Sequence, residues 1–200
     1  MKLFTDDTVI PLNMIDADVT YFPGFLNSQE ADVLFKELLE QTPWRHDDIT
    51  VFGKTHKQPR LTALYASNEK PYSYSNITMT PHYFSNELLT IKSRIEDKVH
   101  EDFTTCLLNL YRDGTDSNGW HADDEKELGV NPIIASVSLG AERVFHFKHK
   151  YSKDLRERLI LRHGSLLLMK GATQHNWLHQ IPKTKKPVGK RINLTFRMIQ

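Results

Sequence analysis

One cysteine, Cys106, in 200 residues leaves no material for an internal disulfide framework or a cysteine-based zinc site. A reducing compartment is the expectation. Long apolar runs are missing too. None approaches the ~20 residues that cross a bilayer, and the opening "MKLFTDDTVIPL" lacks the apolar stretch of a secretory signal. A soluble intracellular protein with no membrane partner is expected. Net charge is almost absent: 26 Lys and Arg against 25 Asp and Glu leave a formal +1, which selects no partner by itself. The chain shows no internal repeat and no low-complexity segment. Its length suits a single domain over 1–200.

The distribution of what is present says more. "PKTKKPVGKR" carries Lys183, Lys185, Lys186, Lys190 and Arg191 with no acid, a loop that can meet phosphates or stand solvated. "NSQEADVLFKELLEQT" reads as a helix, with Asn27 or Ser28 as its cap and an apolar stripe of Ala31, Leu34, Leu38 and Leu39. "SNELLTIKSRIEDKVH" reads as a second helix, with Leu88, Ile91, Ile95 and Val99 on one face. From residue 103 the texture changes to short strand-like runs separated by turns: "TCLLNLY", "PIIASVSLG", "RVFHFKHK", "RLILRH", "GSLLLMK" and "RINLTFRMI". That spacing predicts a sandwich or barrel with the helices covering one sheet face. In "RINLTFR" the alternation puts Arg191, Asn193, Thr195 and Arg197 on one face and Ile192, Leu194 and Phe196 on the other. The polar face either meets solvent or lines a pocket.

"WHADDE", residues 120–125, sets three acids beside a histidine, a repulsive cluster that needs a positive partner. In an extended segment His121 and Asp123 point the same way and can occupy two positions on one side of a metal ion. Two histidines and one carboxylate form the ligand set of non-haem Fe(II) oxygenases, and zinc accepts the same donors. A third ligand is available in "TQHNWLHQIP" as His175 or His179. They are four apart and share a face on a helix and on a strand alike, so spacing does not choose between them.

Taken together, "LLNLYRDG", "WHADDE", "IASVSLGAER", "HGSLLLMKGATQHNWLHQIP" and "RINLTFR" resemble the AlkB family of Fe(II)/2-oxoglutarate dioxygenases, in its DNA-repair branch. The resemblance covers nearly the whole chain. It implies an α+β fold: a double-stranded β-helix, or jelly roll, with supporting helices and an N-terminal nucleotide-recognition lid. The helices and lid would occupy approximately 1–100 and the β-helix core 101–200. By the same resemblance His121, Asp123 and His179 are the iron ligands and the catalytic centre. Arg191, Tyr111 and Asn193 hold the distal carboxylate of 2-oxoglutarate, and Arg197 with Asn109 holds the carboxylate beside iron.

The implied activity is oxidative demethylation of N-alkylated bases in DNA, of the N1-methyladenine and N3-methylcytosine type. Its cofactors are Fe(II), 2-oxoglutarate and O2, and its products are succinate, CO2 and formaldehyde. DNA is the expected partner, with RNA as a further one, and the protein is expected as a monomer in bacterial cytoplasm rather than the nucleus. The implied substrate contacts are Phe52 as a wedge in the "VFGK" hairpin, Arg60 close behind it, Tyr74 stacking on the extruded base, and Asp124 and Glu125 facing a cationic lesion. The rival readings are a related dioxygenase acting on RNA or protein, and a catalytically silent nucleic-acid-binding module.

Overall fold

The computed structural model describes residues 8–51, 53–68, 72–74 and 77–199. In chain order the elements are β1 (Ile10–Leu12), β2 (Asp18–Phe22), α1 (Ser28–Gln41), β3 (Asp48–Val51), β4 (Lys54–Lys57), β5 (Leu61–Ala66), β6 (Tyr72–Tyr74), β7 (Ile77–Met79), β8 (His82–Tyr83), α2 (Asn86–Val99) and β9 (Thr105–Tyr111). They continue with β10 (Asn118–His121), β11 (Ile134–Gly140), β12 (Arg143–His149), β13 (Arg156–Leu161), β14 (Ser165–Lys170), α3 (Thr173–Asn176), β15 (Trp177–Ile181) and β16 (Arg191–Arg197).

Two sheets carry the architecture. The large one runs β1-β2-β14-β11-β16-β9-β5-β8 and the small one β10-β15-β12-β13. Every pair in them is antiparallel except β5 with β8. The central strands of the large sheet are buried on both faces, and side-chain alternation gives each face its own chemistry. One face is apolar: Cys106, Leu108 and Leu110 of β9, Val137 and Leu139 of β11, and Ile192, Leu194 and Phe196 of β16 pack with Ala31 and Leu38 of α1 and Leu88, Ile91 and Ile95 of α2. Fully burying a side chain such as Ile192 contributes ~1.5–3 kcal/mol. The other face looks into the sandwich, where Tyr111, Leu167 and Met169 meet Phe145, Phe147, Trp177 and Ile181 of the small sheet.

Asn27 caps α1. Its Oδ1 accepts from Glu30 N at 2.9 Å, and Glu30 Oε2 accepts from Asn27 N at 3.1 Å. Gly140 ends β11 at φ +87°, and a Cβ there would stand 2.5 Å from Lys190 O and 2.6 Å from the Phe35 ring. Only glycine lets α1 close onto this corner. Strands β3 and β4 form a separate hairpin, with Asp48 opposite Lys57 and Val51 opposite Lys54. Among the described residues, no helix is long and apolar enough to cross a membrane.

Candidate metal centre and cosubstrate cavity

Three side chains converge between the sheets. Pairing of β10 with β15 sets His121 directly opposite His179, and their ring centroids are 4.2 Å apart. Asp123 follows on the segment leaving β10, with its Oδ2 4.0 Å from His179 Nε2. One ligand atom from each residue lies within 4.8 Å of the others, the one such His/Cys/Asp/Glu group among the described residues. Phe145 stacks on the His179 ring at 5.2 Å and fixes its plane. His175 lies apart from this group. It is exposed on α3 and accepts from Asn131 N at 3.4 Å. The chain changes from helical turn to strand between the two histidines, so their spacing of four carries neither periodicity through.

The positive partner demanded by the acid cluster is an arginine. Arg197 Nη2 donates to Asp123 Oδ1 at 2.8 Å, with both side chains buried. Burial raises the Asp123 pKa, but Arg197, His179 and His121 outweigh it and leave the carboxyl below its ordinary value. Gln174, fully buried, accepts the Asp123 backbone N–H on Oε1 at 3.0 Å. Burial pushes His179 down to about 3 and also lowers His121. Both imidazoles are therefore neutral near pH 7, the form that ligates a metal. Two neutral imidazoles and one carboxylate suit Fe(II).

The cavity beside this triad is walled by Asn109, Tyr111, Ser136, Asn193 and Thr195 and ends on Arg191. Arg191 is 1% exposed. Its Nη2 donates to Ser138 Oγ at 2.9 Å, and its guanidinium lies 5.2 Å from the centre of the Tyr111 ring. Its Nε and Nη1 are buried without a hydrogen-bond partner among the described residues. Burial brings its pKa down to about 10, against the raising effect of Tyr111. It stays a cation at neutral pH. A buried cation with two free donors fits a carboxylate, and 2-oxoglutarate carries one at each end. Asn193 is already committed: its Nδ2 donates to Ser136 Oγ at 2.7 Å and Val137 O at 3.2 Å.

The implied substrate contacts fare differently. Arg60 is 4% exposed, donates through Nε to Asn109 Oδ1 at 2.7 Å and reaches Ser117 O at 3.3 Å. It buttresses the cavity wall, because β5 runs beside β9 inside the large sheet. Asp124 is held by Lys150 Nζ at 3.0 Å. Glu125 is half-buried, and its Oε2 has no hydrogen-bond partner among the described residues. Burial and then Asp123 raise its pKa. Phe52 lies outside the described residues, as does the side chain of Tyr74, although both flanks of the β3–β4 hairpin are described and Lys54, His56 and Lys57 on it are exposed.

Sequence reasoning did not single out Gln174, Asn118, Ser136, Ser138 or Arg143. The two serines carry a usable signal, since "ASVSL" alternates small hydroxyls with apolar side chains on the strand next to β16. Arg143 is buried and donates to Asp113 O, Asp116 O and Pro182 O, tying the loop after β9 to the loop after β15. Nothing local in the sequence marks it.

Comparison with known proteins agrees with this geometry. Residues 18–197 match the family model described as the 2OG-Fe(II) oxygenase superfamily. The chain is 43% identical over 190 residues to the mouse protein named alpha-ketoglutarate-dependent dioxygenase alkB homolog 3, covering 90% of this chain and 66% of that protein, just under two thirds. It is 39% identical over 180 residues to the mouse DNA oxidative demethylase ALKBH2, covering 85% of this chain and 75% of that protein. A solved structure titled "The structure of OsALKBH1" shares the fold with a TM-score of 0.67 at 16% identity, covering 94% of this chain and all of that one. The chain belongs to the 2OG-Fe(II) oxygenase superfamily and, within it, to the AlkB family.

Proposed function

We propose that the protein is an Fe(II)- and 2-oxoglutarate-dependent oxidative demethylase of N-alkylated bases in DNA. The observation that carries the reading is one buried cavity with the His121–Asp123–His179 triad at one end and the unpaired donors of Arg191 at the other. The names of the relatives support the substrate class. Iron, bound with 2-oxoglutarate and O2, supplies the oxidation that releases the N-methyl group as formaldehyde while 2-oxoglutarate becomes succinate and CO2.

The chain's own residues bind, orient and shield. His121, Asp123 and His179 hold the metal. Arg191 takes the distal carboxylate, with Tyr111 against its guanidinium. Arg197 neutralises Asp123 and brings positive charge to the carboxylate beside the metal. Arg60 fixes the Asn109 amide in turn. Of the two acids after Asp123, Glu125 is the better contact for a base, since Asp124 already has a lysine. N1-methyladenine and N3-methylcytosine are cationic near neutral pH, so a carboxylate favours them over the unmodified bases. The exposed cations of the β3–β4 hairpin and of the loop at Lys183, Lys185, Lys186 and Lys190 suit a phosphate backbone, with Phe52, next after Val51 in the sequence, as the wedge that fills the gap left by an extruded base.

The test is incubation of purified protein with Fe(II), ascorbate, 2-oxoglutarate and an oligonucleotide carrying N1-methyladenine, followed by mass spectrometry. The expected result is loss of one methyl per lesion, absent in His121→Ala. Turnover of 2-oxoglutarate with no change in lesion mass, on DNA of either strandedness, would reject the substrate.

A further inference from the structure

Asn118 sits where β10 leaves regular pairing. It lies opposite Ile181, while His121 lies opposite His179, so three steps along β10 match two along β15. The extra residue is a β-bulge, and it reverses parity. Positions three apart would face opposite sides of a regular strand, yet both Asn118 and His121 line the cavity. The bulge thereby brings one group to each nitrogen of the His121 ring. Gly119 O lies 2.8 Å from Nδ1. A carbonyl only accepts, so Nδ1 carries the proton and Nε2 the lone pair. Asn118 Nδ2 lies 3.1 Å from that Nε2, and the amide is therefore the donor. The bond through Nδ1 keeps the ring in its ligating tautomer, as an outer partner of a metal-bound histidine does. The bond through Nε2 occupies the lone pair that a metal needs.

We infer that Asn118 is an internal competitor for the metal site: it caps His121 Nε2 in the metal-free protein and has to release it for the ion to enter. This rests on the reading that His121, Asp123 and His179 hold a metal. The amide fixes the imidazole in its ligating orientation before the ion arrives, and loading exchanges one hydrogen bond for one coordination bond. The Asn118 bond exists in one state only, so removing it shifts the balance between the two. A net neutral hydrogen bond corresponds to about a two- to tenfold change in an equilibrium constant.

The experiment titrates the metal-free protein and Asn118→Val with Mn(II), reading free Mn(II) by electron paramagnetic resonance, and melts both proteins with and without saturating Mn(II). Asn118→Val is expected to bind Mn(II) about two- to tenfold more tightly. Its metal-free form is expected to melt below wild type, while the two loaded forms melt together. A residue with a merely structural role would lower both forms equally. Unchanged or weaker Mn(II) binding, or equal destabilisation of both forms, overturns the inference. If Asn118→Val does not fold, Asn118→Ala takes its place under the same criteria. Wild type that binds no Mn(II), or binds it undiminished in His179→Ala, overturns the metal reading and this inference with it.

Discussion

Replacing Arg191 by Met separates a residue kept for a ligand from one kept for the fold. The guanidinium is 1% exposed, has Ser138 Oγ on one nitrogen, and leaves Nε and Nη1 without partners among the described residues. In the cosubstrate-free protein the substitution removes one hydrogen bond, worth ~1 kcal/mol, and the contact with Tyr111, worth ~0.5–2 kcal/mol. Against this it removes an uncompensated buried cation, whose desolvation costs several kcal/mol. Methionine fills a similar length with apolar atoms, so stability in a urea melt is expected to hold or to rise by ~1–3 kcal/mol. Binding should respond in the opposite sense. Truncating one partner of a buried hydrogen-bonded ion pair costs ~2–5 kcal/mol, which is ~30-fold to several thousand-fold in Kd. The assay is calorimetric titration of 2-oxoglutarate into Mn(II)-loaded protein, paired with urea melts of the unloaded form. Arg191→Lys keeps the charge without the planar fork and should fall between the two. Wild-type affinity in Arg191→Met would refute the assignment of the cavity end. So would a loss of more than ~3 kcal/mol in the unloaded melt, because the guanidinium would then be serving the fold.

Gln174→Leu leaves the buried Asp123 N–H without its acceptor. A loss of ~1–3 kcal/mol is expected together with weaker Mn(II) binding, and a melt unchanged from wild type would show that Gln174 does not hold the Asp123 backbone. Stability of the metal-free protein should fall as pH drops below about 6.5. His179 has a folded pKa of about 3 against the model-peptide 6.5, so the unfolded chain takes the proton first and stability is lost at ~1.4 kcal/mol per pH unit as pH drops through that window. Asp123, with its pKa lowered, adds its own loss only on further acidification, as pH falls from the ordinary carboxylate range through its folded value. His179→Gln should remove one proton's worth of slope between pH 6 and 4, and an unaltered slope would contradict the burial argument. Phe52→Ala should weaken repair of a duplex far more than repair of a single strand. Equal losses on both would dispose of the wedge.

How much of this was legible in the sequence depends on whether the information was local. Strand parity in "RINLTFR" was enough to sort Arg191, Asn193, Thr195 and Arg197 from Ile192, Leu194 and Phe196, because β16 is regular along its length and buried on both faces. What parity could not tell was whether the polar face meets water; that depends on β10, β12 and β15 closing over it. The choice between His175 and His179 was likewise not local, since a single helical turn ends at Asn176 and a strand begins at Trp177. The burial of Arg60 is non-local for the same reason. The residue follows a basic hairpin in sequence, but β5 then enters the large sheet, where Thr62 lies opposite Asn109. Asn118 lay beyond reach altogether, because regular alternation sends it away from His121 and only the bulge brings it back.

The three adjacent acids end in three different environments, and that difference has an electrostatic consequence. Asp123 is neutralised by Arg197, Asp124 by Lys150, and Glu125 is half-buried with a raised pKa. With both ligand histidines neutral, the Asp123–Arg197 pair and Arg191 leave the metal-and-cosubstrate cavity with one net positive charge. A divalent cation alone deepens that excess, and dianionic 2-oxoglutarate alone reverses it. Together they leave the charge of the cavity where it was. In a site that admits little water, two unit charges ~5 Å apart interact by ~3 kcal/mol at an effective dielectric of 20, so each ligand should strengthen the other's binding by at least tenfold. Titrating 2-oxoglutarate into the protein with and without Mn(II), and Mn(II) with and without 2-oxoglutarate, must give the same factor both ways. Equal 2-oxoglutarate affinity in the presence and absence of Mn(II) would mean that the two sites do not share this cavity, and the reading of Arg191 and the triad as one centre would fall with it.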